Sequence, residues 1–310
     1  MLGAAVRVIL QSCLSCPTLT VVAASSRRGV KKNRFFGAVV LLETVSSMPS
    51  SLRPGVLDYG QPLWESDDLG RWADALERYE EAVAFKAARS PNKTTKGLKN
   101  LDKWVRDWRP SANGISADEL QRCVEWKLKR GKFRPLMAQV ASNSDAVVRG
   151  ASAEAFTAAA ARQTGGTGAA AIRRAALTAL SEPLKGVGPA TASAILARFD
   201  PDLFPFMADE AMEAVPGHGA REYSLSRYEK FAAALCKRAK QLQEQGSSSL
   251  SSSSAESSPP QWTAGAVSTA LWSVAILGAE GAIPSEYSSV PTSASAATKG
   301  QSSGKRKRGA

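Results

Sequence analysis

The sequence predicts an all-α fold, and three observations carry that prediction. Apolar residues recur at helical spacing from about residue 66 to 243. Capping residues stand at the starts of several of these stretches, and glycine or proline at their ends. No segment in that range reads as a strand or a hairpin. A length of 310 residues leaves room for one or two domains. With 44% hydrophobic and 22% charged residues, the chain has a globular balance rather than that of a disordered or fibrous protein.

The elements follow in chain order. Trp72, Leu76, Tyr79 and Val83 form one apolar stripe. Leu101, Trp104, Val105 and Trp108 form a second, ended by Pro110. Ser116 with Glu119 three residues on is a capping box. It opens a helix with Leu120, Val124 and Leu128 on one face, closed near Gly131. Pro135 is placed to start a short helix as its first residue, with Leu136 and Val140 inward. Ser144 is expected to cap another carrying Val147, Ala151 and Ala155. Gly165, Gly166 and Gly168 separate this half from Ile172, Ala176 and Leu180. Leu225, Tyr228, Ala232, Leu235, Ala239 and Leu242 mark a long late helix. Thr263 is placed to cap a last helix holding Val267, Leu271 and Val274. Trp262 and Trp272 imply that it packs back onto the domain, since tryptophans on a free tail are a liability. About nine helices over roughly 200 residues suffice for one sizeable core.

The chain divides by composition. Residues 1–47 carry six Lys/Arg and the single acid Glu43, the pattern of an organellar transit peptide or of a stretch translated upstream of a true start at Met48. Residues 48–243 form the helical domain and 244–260 a Ser/Pro-rich linker, with nine serines among residues 247–258. The returning helix takes 261–278, and 279–310 is a disordered tail ending in Lys305, Arg306, Lys307 and Arg308, a run of nuclear-import type. The expected location is the nucleus, or a mitochondrion or plastid if the leader is a transit peptide. Of the net charge of +12, the leader and the last twelve residues each hold +5, leaving +2 for residues 48–298. Within that middle, residues 92–139 hold twelve Lys/Arg against five Asp/Glu, so a basic patch persists.

Several chemistries are excluded. No run approaches 18 apolar residues, the longest candidate being Phe35–Leu42, so no membrane span is expected. Four cysteines, Cys13, Cys16, Cys123 and Cys236, are too scattered for a disulfide scaffold. His218 is the single histidine, which excludes a multi-histidine metal site and any Ser-His-Asp triad not based on it. No cofactor or metal is expected, and the chain reads as a monomer.

The most informative segment is Leu184–Leu196. A helix ends near Ser181, a turn with Gly186 and Gly188 follows, and Pro189 sits in the first turn of the next helix. Two glycines permit positive φ and close backbone approach. Backbone N–H groups gathered at such a turn and helix start suit a phosphate, without regard to base sequence. The bland alternative is a plain helix–helix connection. Downstream, Phe204, Pro205, Phe206, Met207 and Ala208 lead to Asp209, 19 positions beyond Ala190.

This pattern, with Leu184 before the first glycine, Val187 between the glycines, then Thr191, Ala192, Ile195 and Leu196, resembles the helix-hairpin-helix motif. In particular it is similar to the hairpin of the base-excision DNA glycosylase superfamily, the endonuclease III, adenine-mismatch and oxoguanine glycosylase relatives. The match covers residues 184–212, and its all-helical context extends loosely over about 60–278. The resemblance implies a multi-helix glycosylase-like domain with its hairpin at 184–196, bound to double-stranded DNA. Lys185, Gly186, Val187, Gly188 and Thr191 would meet the DNA backbone, and Asp209 would be the catalytic carboxylate. Ala190 occupies the slot where strand-cleaving members carry a Schiff-base lysine, so base release without strand cleavage is implied. Met207 through Ala211 fits the family pattern loosely, and the family's iron–sulfur cysteine cluster has no counterpart.

A second segment, Cys123 to Pro135, interleaves cations and aromatics: Trp126, Lys127, Lys129, Arg130, Lys132, Phe133 and Arg134. Lys129, Arg130, Lys132 and Arg134 are the DNA-contact candidates there, against a plain reading as a basic helix end. Lys93, Lys96, Lys99, Lys103 and Arg106 form a weaker candidate face. Three functions stay open: a monofunctional DNA N-glycosylase acting on a damaged base, a non-catalytic DNA-binding module, and a helical protein-interaction module.

Overall fold

The computed structural model describes residues 59–89, 95–164, 168–217, 221–250, 260–279 and 281–283. Among them are twelve α-helices and no strand. They are α1 Gln61–Glu65, α2 Leu69–Glu77, α3 Tyr79–Arg89, α4 Leu98–Asp107, α5 Ala117–Arg130, α6 Met137–Ala141, α7 Asp145–Ala160, α8 Ala169–Ser181, α9 Pro189–Phe199, α10 Asp209–Ala214, α11 Leu225–Leu250 and α12 Ala264–Ala279. No helix among the described residues is long and apolar enough to cross a membrane. The leader, Lys93, Gly165 and Gly166, His218, Cys13, Cys16 and the basic tail lie outside the described residues.

Local signals set most boundaries. The Ser116 hydroxyl accepts from the Glu119 N–H at 3.2 Å, while Glu119 Oε2 accepts from the Ser116 N–H at 2.7 Å, completing the capping box of α5. Ser144 caps α7, and the Thr263 hydroxyl accepts from the Ala266 N–H at 2.9 Å at the head of α12. Four expectations need correction. The first stripe is split at Arg78 (φ −79°, ψ 11°), giving α2 and α3. Pro135 stands outside α6, which begins at Met137 with Leu136 as its cap. In α7 the inward valine is Val148, fully buried, while Val147 is 46% exposed. The long late helix also runs on through the first serines to Leu250 rather than ending at 243.

The core is organised by α12, which packs against α2, α3, α10 and α11. Eleven of its sixteen residues are buried, from Ala264 to Leu277. A helix apolar all round needs partners on every side, which is why it lies inside and not on the surface. Trp272 is fully buried and tilts against Tyr79 at 5.4 Å between centroids, and Trp262 meets the edge of Trp72 at 6.1 Å. The Trp262 N–H donates to Gln243 on α11 at 2.9 Å, so the chain on either side of residues 251–259 is held together. A second group packs α8 on α7 and α9, with α5 against α7 and α9.

Leu271 on α12 is fully buried. Leu271→Ala should therefore cost about 2–5 kcal/mol in urea unfolding. Val147→Ala should change stability by less than about 0.5 kcal/mol, as for other exposed positions.

Candidate functional site

The connection from α8 to α9 is built by one strained glycine and one buried amide. Gly186 has φ +76°, and a Cβ there would lie 2.9 Å from Val140 Cγ2 of α6. Both facts require glycine. Asn143, nearly buried after α6, grips the turn from below. Its Oδ1 accepts from the Lys185 N–H at 2.9 Å and its Nδ2 donates to the Lys185 carbonyl at 3.0 Å. Gly188 differs from expectation. Its φ of −106° and ψ of −177° are extended backbone open to any residue, and a Cβ there would meet nothing within 4 Å. The Thr191 and Ala192 N–H groups both donate to the Gly188 carbonyl at 2.9 Å, and Pro189 has no N–H to offer. The Gly188 and Ala190 N–H groups have no hydrogen-bond acceptor among the described residues.

Asp209 is held by a loop that three helices fix. Ser193 of α9, fully buried, accepts from the Met207 N–H at 3.1 Å. Tyr228 of α11 donates to the Pro205 carbonyl at 3.2 Å, and Ser268 of α12 to the Phe206 carbonyl at 2.8 Å. Ala208 is the N-cap of α10, so Asp209 is the first helical residue. The Asp209 side chain is 11% exposed. The Tyr223 hydroxyl donates to its Oδ1 at 2.6 Å, and Arg221 Nη1 lies 4.0 Å from its Oδ2. Burial, helped by this hydrogen bond, pushes the Tyr223 hydroxyl up to about 12.

The turn and the aspartate share one cavity of about 460 Å³. Gly186, Val187, Gly188 and Thr191 line it together with Asp209 and Glu210. Val187 and Thr191 are buried in the wall, at 5% and 2% exposure, rather than presented to solvent. The end of α5 and its following loop contribute Lys127, Arg130, Lys132 and Arg134. Lys132 and Arg134 are exposed, and Phe133 between them is 58% exposed, more than Phe85 or Val147, the other large exposed apolar side chains among the described residues. Arg130 lines the cavity but is not a surface cation. It is 4% exposed, with its guanidinium carbon 3.9 Å from the Trp272 ring centroid and 5.2–5.7 Å from those of Phe206, Trp126 and Tyr79.

Two candidates fall outside the cavity wall. Lys129 points the other way, 3.1 Å from Glu125 and bonded to the Lys96 carbonyl. Lys185 is exposed behind the turn, its backbone held by Asn143. On the weaker face, Lys103 pairs with Asp107 at 2.6 Å, and Arg106 pairs with the exposed Glu80 and with the buried Asp102, the latter at 3.2 Å. Sequence reading passed over Asn143 and Tyr223, whose partners are 42 and 14 residues away and leave no local pattern. It also gave Lys127 no role. Burial holds the Lys127 amine below the usual lysine range, opposed by the Asp209 charge and reinforced by Arg134.

No cluster of three or more His, Cys, Asp or Glu side chains suited to a metal occurs among the described residues. Comparison of the chain with protein-family models, with curated proteins and with solved structures found no match.

The two glycines make a stability test of the turn. Gly186→Ala should destabilise by more than about 1 kcal/mol, because it adds a side chain at positive φ against Val140. Gly188→Ala should stay within about 0.5 kcal/mol by urea unfolding.

Proposed function

We propose that this chain is a DNA-binding protein of the helix-hairpin-helix glycosylase kind, which takes an extrahelical base into the 460 Å³ cavity and releases it with Asp209. The observation that carries this reading is convergence. Arg130, Gly131, Lys132 and Arg134, residues 186–191 and Asp209, apart in sequence, line one cavity of a size that suits a small ligand. Lys132 and Arg134 at the rim supply cations for phosphates. The Gly188 and Ala190 N–H groups add donors beside an open Gly188. Phe133, exposed between the two cations, suits stacking in the gap left by a flipped nucleotide.

Asp209 would oppose the positive charge that grows on the sugar as the base departs, an electrostatic effect strengthened in a site with little water. Tyr223 holds that carboxylate in one orientation. The same hydrogen bond favours a second reading, a binding module in which Asp209 is structural, because one carboxylate oxygen already has a donor.

Binding and chemistry separate in one set of assays. Gly188→Asp should weaken duplex binding at moderate salt whatever the sequence, while leaving the fold intact, since nothing in the protein opposes a side chain there. Phe133→Ala should weaken binding to a duplex with an abasic or mismatched site about tenfold. Asp209→Asn should retain binding and lower base release by about 10²–10³. Base release by Asp209→Asn at the unaltered rate would remove Asp209 from the chemistry. Absence of duplex binding by the unaltered protein would overturn the reading as a whole.

A further inference from the structure

The cavity contains an amine that neither the hairpin pattern nor the proposed base release uses. Lys127 lies one turn before the end of α5 and lines the same cavity as Asp209 and Glu210. Its side chain is half-buried, and among the described residues no carboxylate or carbonyl accepts from its Nζ. Lysines without an acceptor are ordinarily left in water, where three donors are solvated at no cost. Lys127 instead spends its length reaching into a partly apolar space walled by Leu136, Leu184, Val187 and Phe206.

We propose that Lys127 is a nucleophilic amine that captures an aldehyde carbon in this cavity as an imine. On the DNA reading proposed above, on which this part rests, the aldehyde is C1′ of the ring-opened abasic sugar left by base release. The Nζ lone pair attacks C1′. The carbonyl oxygen leaves as water, and a C1′=N bond replaces C1′=O. Loss of the C2′ proton to water then moves an electron pair into a C2′=C3′ bond. The C3′–O bond breaks, and the 3′ phosphate leaves with its electrons. No oxidant or reductant is needed. The slot at Ala190 is thus not the sole place from which an amine reaches this site.

The surroundings suit this role. Burial keeps the Lys127 amine easier to deprotonate than a surface lysine. The titratable and charged groups around it are Cys123 and Arg130 on its own helix, Lys132 and Arg134 on the loop, and Asp209, Glu210 and Tyr223 elsewhere in the cavity lining. Cys123 does not compete as a nucleophile, since it is fully buried and its thiol is pushed up to about 12. The nearby cations disfavour a protonated Lys127, while Asp209 favours it. Removing the Asp209 charge should therefore release the amine at lower pH.

The test uses the full chain and two probes. In the first, 4-formylbenzoate with cyanoborohydride labels lysines between pH 6 and 9, and peptide mapping compares Lys127 with the exposed Lys240. Lys127 should be labelled at least tenfold faster at pH 7, and in Asp209→Asn its labelling midpoint should move to lower pH. Equal labelling of Lys127 and Lys240 across the range would overturn the proposal. In the second, borohydride is added to a duplex containing an abasic site. A covalent complex should form with the unaltered chain and with Lys185→Arg, and be lost in Lys127→Arg, which keeps the charge but forms no imine. A complex that persists in Lys127→Arg overturns the assignment. Fast labelling of Lys127 by the small aldehyde, with no complex on abasic DNA, upholds the amine and refutes the DNA reading of the cavity.

Discussion

The buried guanidinium of Arg130 is the constraint around which the rest of the structure is arranged. A cation taken out of water costs several kcal/mol unless its surroundings return that energy. Here the return comes from four aromatic faces, of Trp272, Phe206, Trp126 and Tyr79, each worth up to about 2 kcal/mol when desolvated. Two of those rings are held in turn by the buried Asp102, which accepts from the Tyr79 hydroxyl at 2.6 Å and from the Trp126 indole at 2.9 Å. Tyr79, Trp126, Phe206 and Trp272 come from α3, α5, the loop before α10 and α12. Satisfying one cation therefore fixes four distant segments relative to one another.

That arrangement also defines the cavity. Arg130, Phe206 and Trp272 are part of its wall, so the core and the site share side chains. Arg130 and Phe206 also border a second cavity of about 410 Å³. The loop that delivers Asp209 begins beside Phe206, where Ser193, Tyr228 and Ser268 hold the backbone. Asn143 does the same for the turn at Lys185. The site is thus placed by buried hydrogen bonds from the helices around it, while Lys132, Phe133 and Arg134 are exposed to solvent.

The cavity lining carries charges of both signs. Its lining includes the cations of the α5 end and its loop and the carboxylates of Asp209 and Glu210. Under the proposed reading, the phosphates of a nucleotide losing its base would meet the cations and its developing positive charge the carboxylates. Under that reading the modest charge of residues 48–298 is no obstacle, because contact would depend on the exposed Lys132 and Arg134 and not on the net sum.

The sequence by itself determined the helical class, the caps at Ser116, Ser144 and Thr263, the turn ahead of Pro189 and the return of the tryptophan-bearing α12. These are local matters: a cap acts over three residues and a helical stripe over a few turns, so their causes lie within the window that shows them. Tertiary structure alone decided that Arg130 is core and not contact, that Lys129 turns away, and that Val148 and not Val147 faces inward. It alone decided that Gly186 needs its positive φ while Gly188 does not, because the reason is Val140, 46 residues earlier. Lys127, Asn143 and Tyr223 entered the site in the same way. A side chain's direction is set by what the other helices leave open, and that information is spread over the whole chain rather than written near the residue.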